Sequence, residues 1–109
     1  MKEFKSIVID DERLAREELK SVLSDFTEIN VIGEAQNGDE GIELIQKMQP
    51  DLIFLDVNMP GMSGFEMLKK LDNIPHVIFI TAYDEYALKA FEVNALDYIL
   101  KPIDPDRLS

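Results

Sequence analysis

Two adjacent carboxylates, Asp10 and Asp11, close an apolar run near the start of the chain, and Asp56 closes another. Lys101, followed by Pro102, closes a third. If these runs are parallel strands of one sheet, their C-terminal ends share an edge, and the acids and the lysine converge there. Carboxylates a few ångströms apart repel by about 3 kcal/mol per pair at an effective dielectric of roughly 20. Such a cluster is tolerated only where a divalent cation binds or protons are taken up.

Convergence of this kind demands a particular order of elements, and the chain supplies it. Apolar runs alternate with helical patterns, which predicts repeated βα units and a parallel sheet. Ser6–Ile9 is a short strand rich in β-branched residues. Ala15, Leu19, Val22, Leu23 and Phe26 recur at helical spacing, so Glu12–Asp25 is an amphipathic helix. Asn30–Ala35 is the second strand. After the Asn37-Gly38 turn, Asp39 is the expected N-cap of a second helix with Ile42, Leu44, Ile45 and Met48 inward, stopped by Pro50. Leu52–Leu55 is apolar at every position, as expected of a central strand covered on both faces. Val57–Ser63 is a Gly/Pro-marked loop. Ser63 and Glu66 have capping-box spacing and open a third helix that turns Phe65, Leu68 and Leu71 inward. Val77–Ile80 is a fourth strand, Glu85–Val93 a fourth helix patterned through Ala87, Ala90 and Phe91, and Leu96–Leu100 a fifth strand. Asp104-Pro105 reads as an N-cap and first helical position. The chain stops at Ser109 after about one turn, which predicts a truncated fifth helix and an N-terminal fragment of a longer protein.

Composition narrows the class. A chain of 109 residues, 46% hydrophobic, is one domain and not two. It has no cysteine, which excludes a disulfide framework and thiolate metal sites. The net charge of −11, from 22 acidic and 11 basic residues, argues against a grip on phosphate backbones. Most of those acids, among them Glu17, Glu18, Glu28, Glu43 and Asp72, are expected on solvated helix faces. No run is long enough to cross a bilayer, and the start MKEFKSIVIDD lacks a signal-peptide pattern, so a cytoplasmic setting is expected.

Taken together, IVIDDE, LIFLDVNMPGMSGFE, IFITAY and DYILKP resemble the receiver domain of two-component response regulators, and the resemblance runs from about Lys5 to Asp106. It implies a flavodoxin-like, doubly wound five-stranded parallel sheet of order 2-1-3-4-5. It further implies that Asp56 is a nucleophile accepting a phosphoryl group from a phosphohistidine on a sensor histidine kinase. Asp11, Asp56 and the Asn58 carbonyl would bind Mg²⁺ directly, with Asp10 acting through a water. Lys101 and Thr81 would contact the phosphoryl oxygens, and Lys101-Pro102 would hold a cis peptide. The family's switch pair falls on Thr81 and Tyr98: Thr81 moves toward the phosphoryl group and Tyr98 turns in from solvent. The fourth helix, fifth strand and fifth helix would form the output and dimer face. Asn58 and Tyr83 would flank the water path to the acyl phosphate, with Tyr83 shielding it. The segment TAYDEYALKAFEVNALDYILKPI resembles receivers of the LytTR class, whose DNA-binding domain follows the receiver. DNA contact would then lie in that C-terminal part. On this reading the domain is a signalling module and not an enzyme beyond its own phosphotransfer and dephosphorylation.

Each residue also has an ordinary reading. Asp10-Asp11 could cap a helix, Asp56 and Thr81 could sit in turns, Lys101 could be a surface lysine, and Tyr98 could be a packed strand aromatic. Their coincidence at strand ends, in order, favours the functional reading. His76, at the start of a strand, and Met48, Met59, Met62 and Met67 are read as structural. Two other classes remain open at this point. A haloacid-dehalogenase-like phosphatase also uses an aspartyl nucleophile with Mg²⁺ and wants an acid two residues further on; Asp10 has Glu12 there, but Asp56 has Asn58. A flavodoxin-like electron carrier needs a phosphate-cradling loop where this chain has Asp10-Asp11-Glu12.

Overall fold

The computed structural model describes residues 3–101. Five strands, β1 (Phe4–Ile9), β2 (Ile29–Ala35), β3 (Leu52–Leu55), β4 (His76–Thr81) and β5 (Asp97–Leu100), form one parallel sheet of order β2-β1-β3-β4-β5. The helices are α1 (Arg13–Leu23), α2 (Gly38–Met48), α3 (Gly64–Lys69) and α4 (Ala87–Glu92), the last preceded by a 3-10 turn at Asp84–Tyr86. This is the flavodoxin-like arrangement expected from the sequence. The Lys101-Pro102 peptide bond and the fifth helix expected at Asp104-Pro105 lie outside the described residues.

Strand periodicity splits the core in two. Ile7, Ile9, Ile53, Leu55, Val77 and Phe79 face one way and pack with Ile45, Phe65, Leu68 and Ala90 from the helices. Val8, Phe54, Ile80 and Ile99 face the other way and pack with Leu19 and Leu23 of α1. Every residue of β3 is buried, as the unbroken apolar run predicts.

Register sets the site. Ile9 pairs with Leu55, so the next residues, Asp10 and Asp56, leave adjacent strands at the same level. The Asp56 N–H donates to the Ile9 carbonyl at 3.0 Å, which locks the two strand ends together. On the other side Thr81 pairs with Leu100, and the Lys101 N–H donates to the Thr81 carbonyl at 2.8 Å. A bulge between Ser6 and Ile7 leaves Ile32 as the extra residue of β2 and bends that edge strand.

Local chemistry departs from the sequence expectations at several points. The N-cap of α2 is Asn37, not Asp39: its side-chain oxygen accepts from the Glu40 N–H at 2.9 Å, and the helix begins two residues earlier than expected, at Gly38. A Cβ on Gly38 would lie 2.4 Å from Met62, which explains the glycine there. The capping box of α3 is as expected, with Ser63 and Glu66 bonding reciprocally. The expected fourth helix splits into the 3-10 turn and a six-residue α4, and Phe91 points outward at 79% exposure. Only Ala90 of α4 is buried, because so short a helix touches the core along a single turn. Met48, expected inward, is partly open at the end of α2, with its sulfur lying over Gly33.

Candidate functional site

The carboxylates of Asp10, Asp11 and Asp56 each bring an oxygen within 4.8 Å of the others. Asp10 and Asp56 are 6% exposed and Thr81 is fully buried, whereas Asp11 faces solvent. The Lys101 Nζ lies 2.8 Å from Asp10 Oδ2 and 3.6 Å from both Asp56 Oδ2 and Glu12 Oε1. Among the described residues no buried side-chain nitrogen or oxygen lacks a partner.

Each group is held by backbone that the sheet has already fixed. Asp10 follows β1; its N–H donates to the Ala35 carbonyl, and its Oδ1 accepts from the Glu12 N–H at 2.9 Å. That bond closes the β1–α1 turn and satisfies one of the free N–H groups at the helix start, where Glu12 makes no side-chain cap. Asp56 follows β3, and the start of α3 sits directly against its backbone. A Cβ on Gly64 would come within 2.5 Å of the Asp56 carbonyl oxygen, so only glycine admits this approach.

Electrostatics follow from the crowding. Burial, then the neighbouring charge of Asp10, pushes Asp56 up to about 6, with Asp11 adding to the rise while Lys101 and a hydrogen bond with Thr81 oppose it. Burial and then Asp10 also raise Asp11. Burial works against the charge of Lys101, but its hydrogen bond to Asp10 and the charges of Asp56, Asp10 and Glu12 outweigh that and raise it. The result is a desolvated carboxylate flanked by two others, with one ammonium offsetting part of the charge. All donors are hard oxygens, which is what a small divalent cation prefers.

The remaining candidates surround this centre. Asn58 is exposed on the loop two residues after Asp56. Tyr83, 47% exposed, follows β4; its N–H donates to Thr81 Oγ1 at 3.4 Å, and its ring meets Tyr86 edge-on. Tyr98, which the switch picture starts facing solvent, lies between solvent and core. It is half-buried, its ring 6.2 Å from Phe79, and its hydroxyl donates to the Tyr83 carbonyl. His76 lies at the far end of β4, away from the acids, as expected. Reading the sequence alone gave no role to Arg16, whose guanidinium donates to the Asp10 carbonyl at 2.7 Å and to Glu34 at 2.8 Å. A helical arginine facing an acid on the neighbouring strand was the available signal, and it is visible only once β2 is placed beside β1.

The family model for the response regulator receiver domain matches residues 7–109, and the chain belongs to that family. It is 50% identical over 106 residues to the transcriptional regulatory protein BtsR of Escherichia coli K12, covering 95% of this chain and 44% of that protein. It is also 50% identical over 107 residues to the sensory transduction protein LytT of Bacillus anthracis, with the same two coverages. Within the family it therefore falls with the LytTR-type response regulators. The chain spans less than half the length of these relatives. The crystal structure of the response regulatory domain of mrkE from Klebsiella pneumoniae superposes with a TM-score of 0.85 at 34% identity, covering 95% of this chain and 88% of that one. The fold is a two-component receiver, a signalling domain. Among the described residues no helix is long and apolar enough to cross a membrane.

Proposed function

We propose that Asp56 is the phosphoacceptor of this receiver, taking a phosphoryl group from a sensor histidine kinase with the help of Mg²⁺. The observation that carries the reading is the meeting of Asp10, Asp11 and Asp56 within 4.8 Å, with Lys101 against two of them. An Asp56 oxygen forms a bond to phosphorus as the donor's phosphorus–nitrogen bond breaks, leaving an acyl phosphate. Asp11, Asp56 and the Asn58 carbonyl would hold the metal, with Asp10 acting through a water. Bound there, Mg²⁺ supplies positive charge against the transferring phosphoryl oxygens. Lys101 pairs with one phosphoryl oxygen and Thr81 donates to another. Asp56, raised only to about 6, is largely the nucleophilic carboxylate at neutral pH.

The new charge is read through Thr81 and Tyr98. The phosphoryl group adds about −1.5 to −2 charges, and Thr81 moves toward it. Tyr98, already bonded to the Tyr83 carbonyl, is the part that holds or releases the β4–α4 segment. Asn58 and Tyr83 flank the path by which water reaches the acyl phosphate, and Tyr83 slows hydrolysis by covering it. The output face comprises α4, β5 and the fifth helix. Leu88 and Phe91, three apart on α4 and 72% and 79% exposed, support its use as a homodimer contact. Residues 1–109 form the single receiver domain of a cytoplasmic regulator, whose DNA-binding domain follows it in the chain. The net charge of −11 fits DNA contact made elsewhere.

Incubation with acetyl phosphate and Mg²⁺, followed by intact mass and site mapping, tests the reading. The parent gains one phosphoryl group on Asp56, and Asp56→Asn gains none. A phosphoryl group on another residue, or equal labelling of the variant, would overturn it.

A further inference from the structure

Asp10 is held at every polar point it has. Its N–H donates to Ala35 and its two carboxylate oxygens meet the Glu12 N–H and Lys101. The remaining point is its carbonyl. That oxygen lies one residue beyond the end of β1, and it accepts from Arg16 Nη1 at 2.7 Å. Arg16 is itself anchored: Nε donates to Glu34 Oε1 at 2.8 Å, and the other oxygen of Glu34 takes Lys20. The Arg16 side chain is 12% exposed, so the guanidinium sits largely out of water, between α1 and β2. Near-buried charge held at two points fixes geometry far better than a surface pair does.

We infer that Arg16, clamped by Glu34, is a positioning residue for the acid pocket: it fixes the Asp10 carbonyl, and through it the turn that aims Asp10 and Asp11 at the cation. The inference rests on the reading of these acids as a cation-dependent phosphoacceptor site. Without the clamp the Asp10-Asp11-Glu12 turn keeps the Asp10 N–H bond to Ala35 but loses the tie from the Asp10 carbonyl to Glu34, and the two carboxylates are aimed less firmly before the cation arrives. Groups that orient metal ligands in this way typically govern affinity by 10- to 100-fold.

The sign of the effect separates positioning from simple charge. Arg16 brings a positive charge to a cation site, so Coulomb's law alone predicts that removing it tightens Mg²⁺ binding. Positioning predicts the reverse. Arg16→Lys sharpens the contrast, because it keeps the charge but offers one nitrogen where the guanidinium uses two.

Mg²⁺ affinity is measured by calorimetry for the parent, Arg16→Met, Arg16→Lys and Glu34→Gln, each below its own melting transition. Arg16→Met is expected to bind roughly tenfold more weakly. Arg16→Lys is weakened in the same direction, and Glu34→Gln by less. Without Mg²⁺, hydrogen exchange at the Glu12 amide, which bonds to Asp10 Oδ1, speeds up in Arg16→Met while core amides of β3 do not change. A parent that binds Mg²⁺ beside a folded Arg16→Met that binds as tightly or more tightly overturns this inference alone. Should Arg16→Met not fold, parent-like affinity in Arg16→Lys overturns it. A parent that does not bind Mg²⁺ overturns it together with the reading of the site.

Discussion

Leu52–Leu55 and Ala87–Glu92 are both short and mostly apolar, and the fold treats them in opposite ways. All four residues of β3 are buried, between β1 and β4 and under helices on the side of Ile53 and Leu55. In α4 only Ala90 is buried, while Leu88 and Phe91 face outward. Lys89 reaches back over the Phe65 ring at 4.7 Å, and Tyr86 just ahead of the helix packs against Phe65. The segment that delivers Asp56 is thus fixed by neighbours on every side, and the segment after Thr81 hangs from a few contacts. A site that must hold three carboxylates together needs the first kind of support. The surface proposed to change with those carboxylates would need the second.

The two phenylalanines at the centre of this contrast give its sharpest test. Phe54 is 1% exposed and packs with Val8, Leu19, Ile80 and Ile99. Phe54→Ala should cost about 3–5 kcal/mol in urea unfolding. A loss below about 1 kcal/mol would mean that β3 is not the rigid element described. Gly64→Ala comes next. The added methyl meets the Asp56 carbonyl at 2.5 Å and Leu55 at 3.0 Å, and backbone cannot swing aside as a side-chain tip can. It should destabilise by about 1–3 kcal/mol and slow labelling of Asp56 as α3 is pushed off the strand end.

The same contrast explains what could be read from the residues. The strands were legible because buried parallel strands need continuous apolar runs, and Leu52–Leu55 and Val77–Ile80 supply them. The meeting of Asp10, Asp11, Asp56 and Lys101 followed from placing each at a strand end. The strand order itself came from the resemblance, since periodicity cannot say which strand lies beside which. The α2 cap falls on Asn37 and not Asp39 because Asn37, Gly38 and Asp39 all suit a helix start, and only the backbone geometry shows which side-chain oxygen meets a free N–H, here that of Glu40. The exposure of Phe91 is not legible in the sequence, because helical spacing shows that apolar residues share a face, not that anything covers it. Arg16 escaped because its partners, the Asp10 carbonyl and Glu34, belong to different elements, and one of them has no side chain to recognise.

Asp56 itself supplies a pH test of the rigid half. Its pKa in the fold lies above its ordinary value, at about 6, so the folded chain holds the proton more tightly than the unfolded chain does. The stability this group contributes is therefore greatest below the ordinary carboxylate range. It declines as pH rises toward about 6 and is level above that. Asp56→Asn is neutral throughout and escapes the decline. In the absence of divalent cation the variant should melt a few degrees above the parent at about pH 8, with the gap closing as the parent protonates on acidification. A gap that stayed constant down to about pH 4 would show that the charge on Asp56 is not the cause.

The smallest effect is expected where the second segment is most exposed. Phe91→Ser removes a large ring that is 79% exposed and appears in neither core cluster. Its unfolding free energy should stay within about 0.5 kcal/mol of the parent, as for other surface changes. Its effect should fall instead on association of the phosphorylated chain, measured by sedimentation, because Phe91 and Leu88 present the apolar part of the proposed contact. A variant that lost about 2 kcal/mol or more would show that this ring is packed in solution. The fourth helix would then be as firmly seated as β3, and a loosely held output segment could no longer be what distinguishes the two halves.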